Sequence, residues 1–367
     1  MTTAEGPRHL PDRPSVLVIL LGSLGDIARA LPLLSILRHE RPHARLTWAV
    51  GERWRDLAVV HPAADRIVVF PQQRTPATLA RFIRDLRSER YDVALDLQRI
   101  LKSGLCARLS GAPRRVGFHP TDAKEFNHCC NTEWIPAHPP HVPKWRHYLA
   151  FAKHLGLPVP GTLSFGLEAL SGQGGPAAIQ ALRGGFVAVV VGSSWPSKDW
   201  SIEGYRTLIA RILGRSGCSV VLTGAAAHRP VSEDLLDTGS DGARLVNLVG
   251  RTTLTELVAT LGAARAAVGP DTGAGHLAAA VGTPYVTLLG PTPPSRVAPF
   301  RCEALAVTTP APCECVGRRT CRRRSGRCMD TITAEAVWET LGPLIARGVR
   351  LKPDADSRPW RPGEAGR

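Results

Sequence analysis

The strongest constraint on this chain is a rhythm. Short aliphatic and β-branched runs alternate with longer stretches of helical spacing, and the alternation starts twice. Residues 16–21, 46–50, 66–70 and 93–97 read as strands. Residues 27–40 have helical spacing, with Leu31, Leu34, Ile36 and Leu37 apolar and Pro32 in the first turns, where proline does least harm. Helices are also expected at 76–88 and 145–155, whereas 114–143, rich in His, Pro and Asn, reads as loop. Strands this short, alternating with helices, join as β-α-β units in parallel sheets. Residues 156–185 are rich in Gly, Pro and Ser and contain Gly-Gln-Gly-Gly-Pro, which marks a boundary.

Beyond it the pattern restarts. Strands are expected at 186–191, 219–222, 244–248, 266–268 and 285–289, and helices at 202–213, 254–264, 275–281 and 333–346. The chain therefore reads as two doubly wound α/β domains, 15–165 and 180–346, followed by a disordered tail at 347–367. A length of 367 residues is enough for two domains that bury their own cores. Ligands of such sheets sit at the carboxyl ends of the strands, so two facing domains imply a central cleft.

Charge narrows the partners. The formal net charge is +15, which suits an anionic ligand: nucleic acid, lipid or a phosphorylated substrate. Only 5% of residues are aromatic, which argues against a stacking platform for nucleic acid. No apolar run approaches the ~18–20 residues of a spanning helix. The run at 16–21 is too short for a signal-peptide core, so a cytoplasmic location is expected. The nine cysteines then read as thiols or metal ligands before disulfides.

Four motifs carry chemistry. Gly22-Ser23-Leu24-Gly25-Asp26 follows a strand and opens a helix, so Asp26 is either a helix cap or a catalytic carboxylate. It is neither a dinucleotide fingerprint nor a P-loop. Gly192-Ser193-Ser194-Trp195-Pro196-Ser197-Lys198-Asp199-Trp200 follows the first strand of the second domain. Its small hydroxyl residues and Lys198 can hold phosphate oxygens, and the flanking tryptophans would fix the lysine. Asp271-Thr272-Gly273-Ala274-Gly275-His276 links a strand to a helix, where free N–H groups and the helix dipole favour an anion. The Asp-Thr-Gly triplet of aspartic proteases belongs to an all-β context and is set aside. Cys313, Cys315, Cys321 and Cys328 lie among arginines. They suit either a structural zinc or thiols that pair under oxidation, although their spacing is not a standard ribbon or knuckle.

Together these residues resemble the glycosyltransferase family 9 heptosyltransferases of lipopolysaccharide core assembly. The likeness runs from Gly-Ser-Leu-Gly-Asp through Ser-x-x-x-Lys-x-Trp and Gly-Pro-Asp-Thr-Gly-x-x-His to Gly290-Pro291-Thr292 and the late cysteine cluster. It spans roughly residues 15–346. The resemblance implies a GT-B fold and an inverting transfer of heptose from an ADP-activated donor to a lipid A–core acceptor. It implies Asp26 as general base, and Ser193, Ser194, Lys198, Thr272 and Gly273 at the donor diphosphate. Asp271 and His276 would orient the donor, with no obligate metal. Gly25, Arg99, Lys102 and Lys124 are candidate acceptor contacts; the three cations are read as loop residues that meet phosphate or Kdo carboxylates, or else stand solvated. A nucleotide-sugar donor, a glycolipid at the inner membrane surface, no nucleic acid and a monomeric state complete the expectation. Many members carry His three residues after the aspartate, where this chain has Arg29. That leaves open another sugar, another acceptor, or a homologue that binds sugar without transferring it.

Overall fold

The computed structural model describes residues 9–351 except 140, 174, 183, 237–243, 311, 312, 314, 324 and 325. The chain divides into two compact units, one running to Gly166 and the other beginning at Leu167.

The first unit contains β1 (Ser15–Leu20), α1 (Leu24–Glu40), β2 (Arg45–Gly51), α2 (Arg55–Val59), β3 (Arg66–Phe70) and α3 (Pro76–Leu86). It continues with β4 (Val93–Asp96), α4 (Leu101–Leu109), β5 (Arg114–Gly117), β6 (Glu133–Trp134) and α5 (Lys144–His154). Its six parallel strands are ordered β3-β2-β1-β4-β5-β6. Central strand β1 is buried from Val16 to Leu20, as expected for a strand covered on both faces. One face is covered by α3 and α4, which pack Phe82, Leu86, Cys106 and Ala107 against Leu17, Ile19 and Ala94. Helix α1 packs along α5 and is buried over most of its length.

The second unit contains α6 (Glu168–Ser171), α7 (Ala177–Gln180), β7 (Phe186–Val190), α8 (Ile202–Arg215), β8 (Ser219–Thr223), α9 (Arg229–Asp234) and β9 (Leu245–Asn247). It continues with α10 (Leu254–Ala263), β10 (Ala266–Pro270), α11 (Gly273–Ala280), β11 (Tyr285–Leu289), α12 (Pro294–Val297), β12 (Ala306–Thr308) and α13 (Ala334–Arg347). Its parallel sheet runs β12-β11-β10-β7-β8-β9. Counted from each unit's own first strand, both sheets have the doubly wound order 3-2-1-4-5-6. The two Rossmann-like units are those of the GT-B fold.

Several local expectations are corrected. Helix α1 begins three residues earlier than the spacing suggested, so Pro32 lies in its interior. There the proline cannot donate to the Ala28 carbonyl, and burial against the sheet and α5 carries the helix through. The stretch 114–143 holds β5 and β6, which complete the first sheet. Lys102 sits on α4, not in a loop. The boundary segment 156–185 contains α6 and α7, and α6 packs against α10. At the start of the expected tail, Leu351 N–H donates to the Gly282 carbonyl and Arg350 Nη1 to Thr283 Oγ1. Residues 352–367 lie outside the described residues.

Candidate active site

In a doubly wound sheet the order reverses beside the first strand, and the two loops leaving that point diverge to opposite faces. In the first unit these are the loops after β1 and β4; in the second, those after β7 and β10. Asp26 follows β1. The Ser193–Lys198 loop follows β7, and Asp271 follows β10. The motifs read from sequence occupy the switch points of their own sheets.

Gly22 makes the turn out of β1 with φ +143°, and a Cβ there would lie 2.6 Å from Trp54 Nε1. Ser23 is the N-cap of α1, so Asp26 is the third helical residue and not the cap. Gly25 is buried beside it. Asp26 Oδ1 accepts from Arg29 Nη1 at 2.8 Å and Oδ2 from Ser23 Oγ at 3.1 Å. Burial raises the Asp26 pKa, but the charges of Arg29 and Lys144 and the hydroxyls of Ser23 and Tyr148 outweigh it and leave the carboxyl below its ordinary value. The Asp26 side chain keeps 33% exposure, whereas that of Arg29 is 8% exposed. The site thus presents an ionised, reachable carboxylate held by a buried guanidinium.

The β4 loop secures this turn. Gln98 accepts from Leu21 N–H at 2.9 Å and donates to the Gly22 carbonyl at 2.6 Å. Its own backbone N–H donates to buried Asp96, whose other oxygen accepts from Asn127 Nδ2 at 2.6 Å. Burial pushes the Asp96 carboxyl up despite these bonds. Gln98, Tyr148 and Lys144 were not picked out in the sequence. Gln98 carried a usable signal, two residues beyond a strand at the switch point; Tyr148 and Lys144 reach Asp26 only because α5 packs on α1.

The acceptor candidates are placed unevenly. Arg99, at φ +58°, stacks over Phe118 at 4.5 Å and donates to His147 Nδ1 at 2.9 Å. Lys124 joins it through its backbone N–H on the Arg99 carbonyl. Lys102 instead lies over Phe70 at 5.0 Å, where burial and Arg74 lower its pKa.

In the second unit Lys198 Nζ meets Asp271 Oδ2 at 2.6 Å, with side chains 16% and 7% exposed. The Trp195 ring lies 4.9 Å from the ammonium, whereas Trp200, also expected to fix the lysine, is buried in the core and donates to the Ile332 carbonyl. Ser193 is used to shape the loop: its N–H donates to Asp199 Oδ1, and its hydroxyl bridges the Trp195 backbone. Ser194 is exposed. Thr272 is the N-cap of α11 without a capping side-chain bond, Gly273 opens the helix, and His276 is buried in its first turns. Gly275 allows α11 to lie on β11, because a Cβ there would be 2.6 Å from the Tyr285 ring.

The cysteine segment supports this loop. Ser197 N–H and Oγ donate to the carbonyls of Arg319 and Arg318. Cys313 and Cys328 have their sulfurs 3.1 Å apart, and Cys315 and Cys321 theirs 3.8 Å apart. Among the described residues no group of three or more His, Cys, Asp or Glu side chains is arranged to hold a metal ion. Of the two readings of these cysteines the zinc site is therefore unsupported; the thiols associate two by two.

Fold and site define a two-domain glycosyltransferase whose carboxylate and cation loops lie at the switch points. The model of "Glycosyltransferase family 9 (heptosyltransferase)" matches residues 79–325, and the chain belongs to that family. It is 28% identical over 322 residues to lipopolysaccharide heptosyltransferase 1 of Pseudomonas aeruginosa, covering 83% of this chain and 87% of the relative. Among solved structures, Escherichia coli heptosyltransferase WaaC with ADP superposes with TM-score 0.73 at 22% identity, covering 90% of this chain and 99% of that one. The dodecameric, iron-containing glycosyltransferase TibC of enterotoxigenic E. coli gives TM-score 0.58 at 18% identity, covering 92% and 78%. No helix among the described residues is long and apolar enough to cross a membrane.

Proposed function

We propose that this chain transfers a heptose from an ADP-activated donor to a lipopolysaccharide-core acceptor with inversion, and that Asp26 is the general base. The carrying observation is the ionised, one-third-exposed Asp26 carboxylate in the first turn of α1, at the switch point of its sheet. As the acceptor oxygen attacks the anomeric carbon its hydroxyl acidifies, so a weakly basic carboxylate suffices to take the proton late in the step. The sugar passes through an oxocarbenium-like state and the bond to the diphosphate oxygen breaks.

Negative charge then grows on the departing ADP. Lys198 and the N–H groups opening α11 at Thr272 and Gly273 stabilise it, with Ser193 and Ser194 shaping the adjoining loop. These fixed donors do the work that a divalent cation does elsewhere. Asp271 and His276 orient the donor, and Arg99, Lys102 and Lys124 receive phosphate or carboxylate of the acceptor. The chain acts as a monomer, peripheral on the cytoplasmic face of the inner membrane. The name and coverage of the Pseudomonas relative and the ADP named with the solved E. coli enzyme support this reading.

The test is Asp26→Asn, followed by ADP release and by mass spectrometry of the acceptor. Transfer should fall by about 10²–10⁴-fold while ADP-heptose still binds. Undiminished turnover would sink the assignment.

A further inference from the structure

Helix α4 has an unusual outer face. Four of its nine residues are exposed, Leu101, Leu105, Arg108 and Leu109, so three of the four are leucines. The leucines recur at i, i+4 and i+8, which places them in one row along the helix. They are 41%, 44% and 40% exposed. The opposite side, Ser103, Gly104, Cys106 and Ala107, is buried in the unit.

A second observation lies at the N-terminal end of the row. Glu125 and Phe126 both adopt left-handed backbone, at φ 53° and 56°. Two successive non-glycine residues in that region are costly unless held. They are held at the start of α4 and the loop before it: Glu125 Oε2 accepts the Leu101 N–H and Lys124 N–H donates to the Arg99 carbonyl. The result is Phe126 standing out at 77% exposure, the most exposed large apolar side chain among the described residues.

The surroundings are cationic. Helix α3 shares the core beneath α4 and presents Arg81 and Arg84, whose side chains are 77% and 76% exposed. Among the described residues both pair with Asp85, at 3.9 and 4.0 Å, distances of weak surface pairs. Arg74 and Arg87 flank that helix and are exposed, and Arg108 joins the leucine row itself.

We propose that the α3–α4 face of the first unit docks on an anionic phospholipid bilayer, with Leu101, Leu105, Leu109 and Phe126 entering the interface and the arginines meeting lipid phosphates. An apolar ridge bordered by long cationic side chains is the pattern of an interfacial helix, because the arginines reach the headgroups while the leucines leave water. The charge selects lipid over a second copy, whose own arginines would oppose it. Docking there also has a use. Leu101 stands one residue beyond Ile100, in the β4 loop that clamps the Asp26 turn, so a lipid-borne acceptor would bring its sugars to the carboxyl edge of the sheet. That use rests on the proposed function, but the docking itself is read without turnover.

The full chain is sedimented with vesicles of phosphatidylglycerol and phosphatidylethanolamine, and with vesicles of phosphatidylcholine alone. Binding should favour the anionic vesicles by about tenfold or more and fall with salt. Leu105→Gln should weaken it by about tenfold, and Arg81→Gln with Arg84→Gln should weaken it and flatten the salt dependence. Val316→Gln, an exposed apolar control in the second unit, should not change it. An unchanged unfolding temperature shows that Leu105→Gln remains folded, and Leu109→Gln, at a side chain 40% exposed, serves as a second uncharged variant expected to weaken binding in the same way. Equal binding to both vesicle types, or full binding by the Leu105 and arginine variants, overturns the proposal. So does a dimer in sedimentation velocity that Leu105→Gln dissolves without affecting vesicle binding. ADP-heptose binding is measured in parallel, so loss of the donor reading and loss of the docking reading are told apart.

Discussion

Replacing Lys198 by Met removes the cation from a pair in which Asp271 is 7% exposed and the Nζ–Oδ2 distance is 2.6 Å. The carboxylate left behind has little water to turn to. Breaking a buried pair costs about 3–5 kcal/mol, and the nearby first turn of α11 brings this towards about 2–3 kcal/mol. Asp271→Asn strands the ammonium less, because Lys198 is 16% exposed and keeps the Trp195 ring, so about 1–2 kcal/mol is expected. In the double variant neither charge is stranded, and the loss should fall short of the sum by at least about 1 kcal/mol. Transfer should behave differently. On the proposed role of Lys198 the double variant still lacks the cation for the diphosphate, so its turnover stays down by about 10²–10³-fold while its stability recovers. Urea unfolding followed by tryptophan fluorescence, fitted with separate transitions for the two units, reads the stability, and ADP release reads transfer. Additivity within about 0.5 kcal/mol would refute the coupling, and regained turnover in the double variant would refute the role of the cation.

Two further predictions concern the base. Arg29→Met removes a charge that lowers the Asp26 pKa, so that pKa should rise. Because the proposed base works ionised, the acid limb of kcat/KM, lost as pH falls through the lowered Asp26 pKa, should move to higher pH, with less change on the alkaline side. An unmoved limb would show that Arg29 does not set the charge of the base. Gln98→Leu leaves Leu21 N–H and the Gly22 carbonyl without their side-chain partner, which should cost about 1–3 kcal/mol in stability. It should also lower kcat by about 10–100-fold with the donor KM unchanged, because the turn carrying Asp26 is no longer fixed; an equal loss of donor affinity would contradict that reading.

The fold was legible where local pattern and tertiary burial agree. β1, β7 and β11 are aliphatic runs buried on both faces, and the glycine-rich turns after β1 and β10 announce the switch points. β5 and β6 escaped because Arg114-Arg115 and Glu133-Trp134 look like surface loop. They become strands through pairing, with Arg114 on Glu133 and Arg115 on the Cys130 carbonyl. Helix α4 escaped because its outward leucines blur the apolar stripe that betrays a helix. The extent of α1 was misjudged because proline argues locally against a helix that burial sustains.

The site divides in the same way. The sequence by itself determined that Asp26, Lys198 and Asp271 follow closely on strands, because strand, glycine and helix signals are local. Spacing alone could not say that Lys198 and Asp271, 73 positions apart, meet at 2.6 Å. The adjacency of β7 and β10 decides it. Nor could spacing say that Gln98 ties down the Asp26 turn, which depends on β1 and β4 being neighbours. The +15 net charge was visible at once, but only the packing of α3 and α4 into one core brings exposed arginines and a leucine row to the same face of the first unit. Chemistry is written in residue type and local spacing; partnership is decided by strand order and helix packing, which join residues distant in the chain.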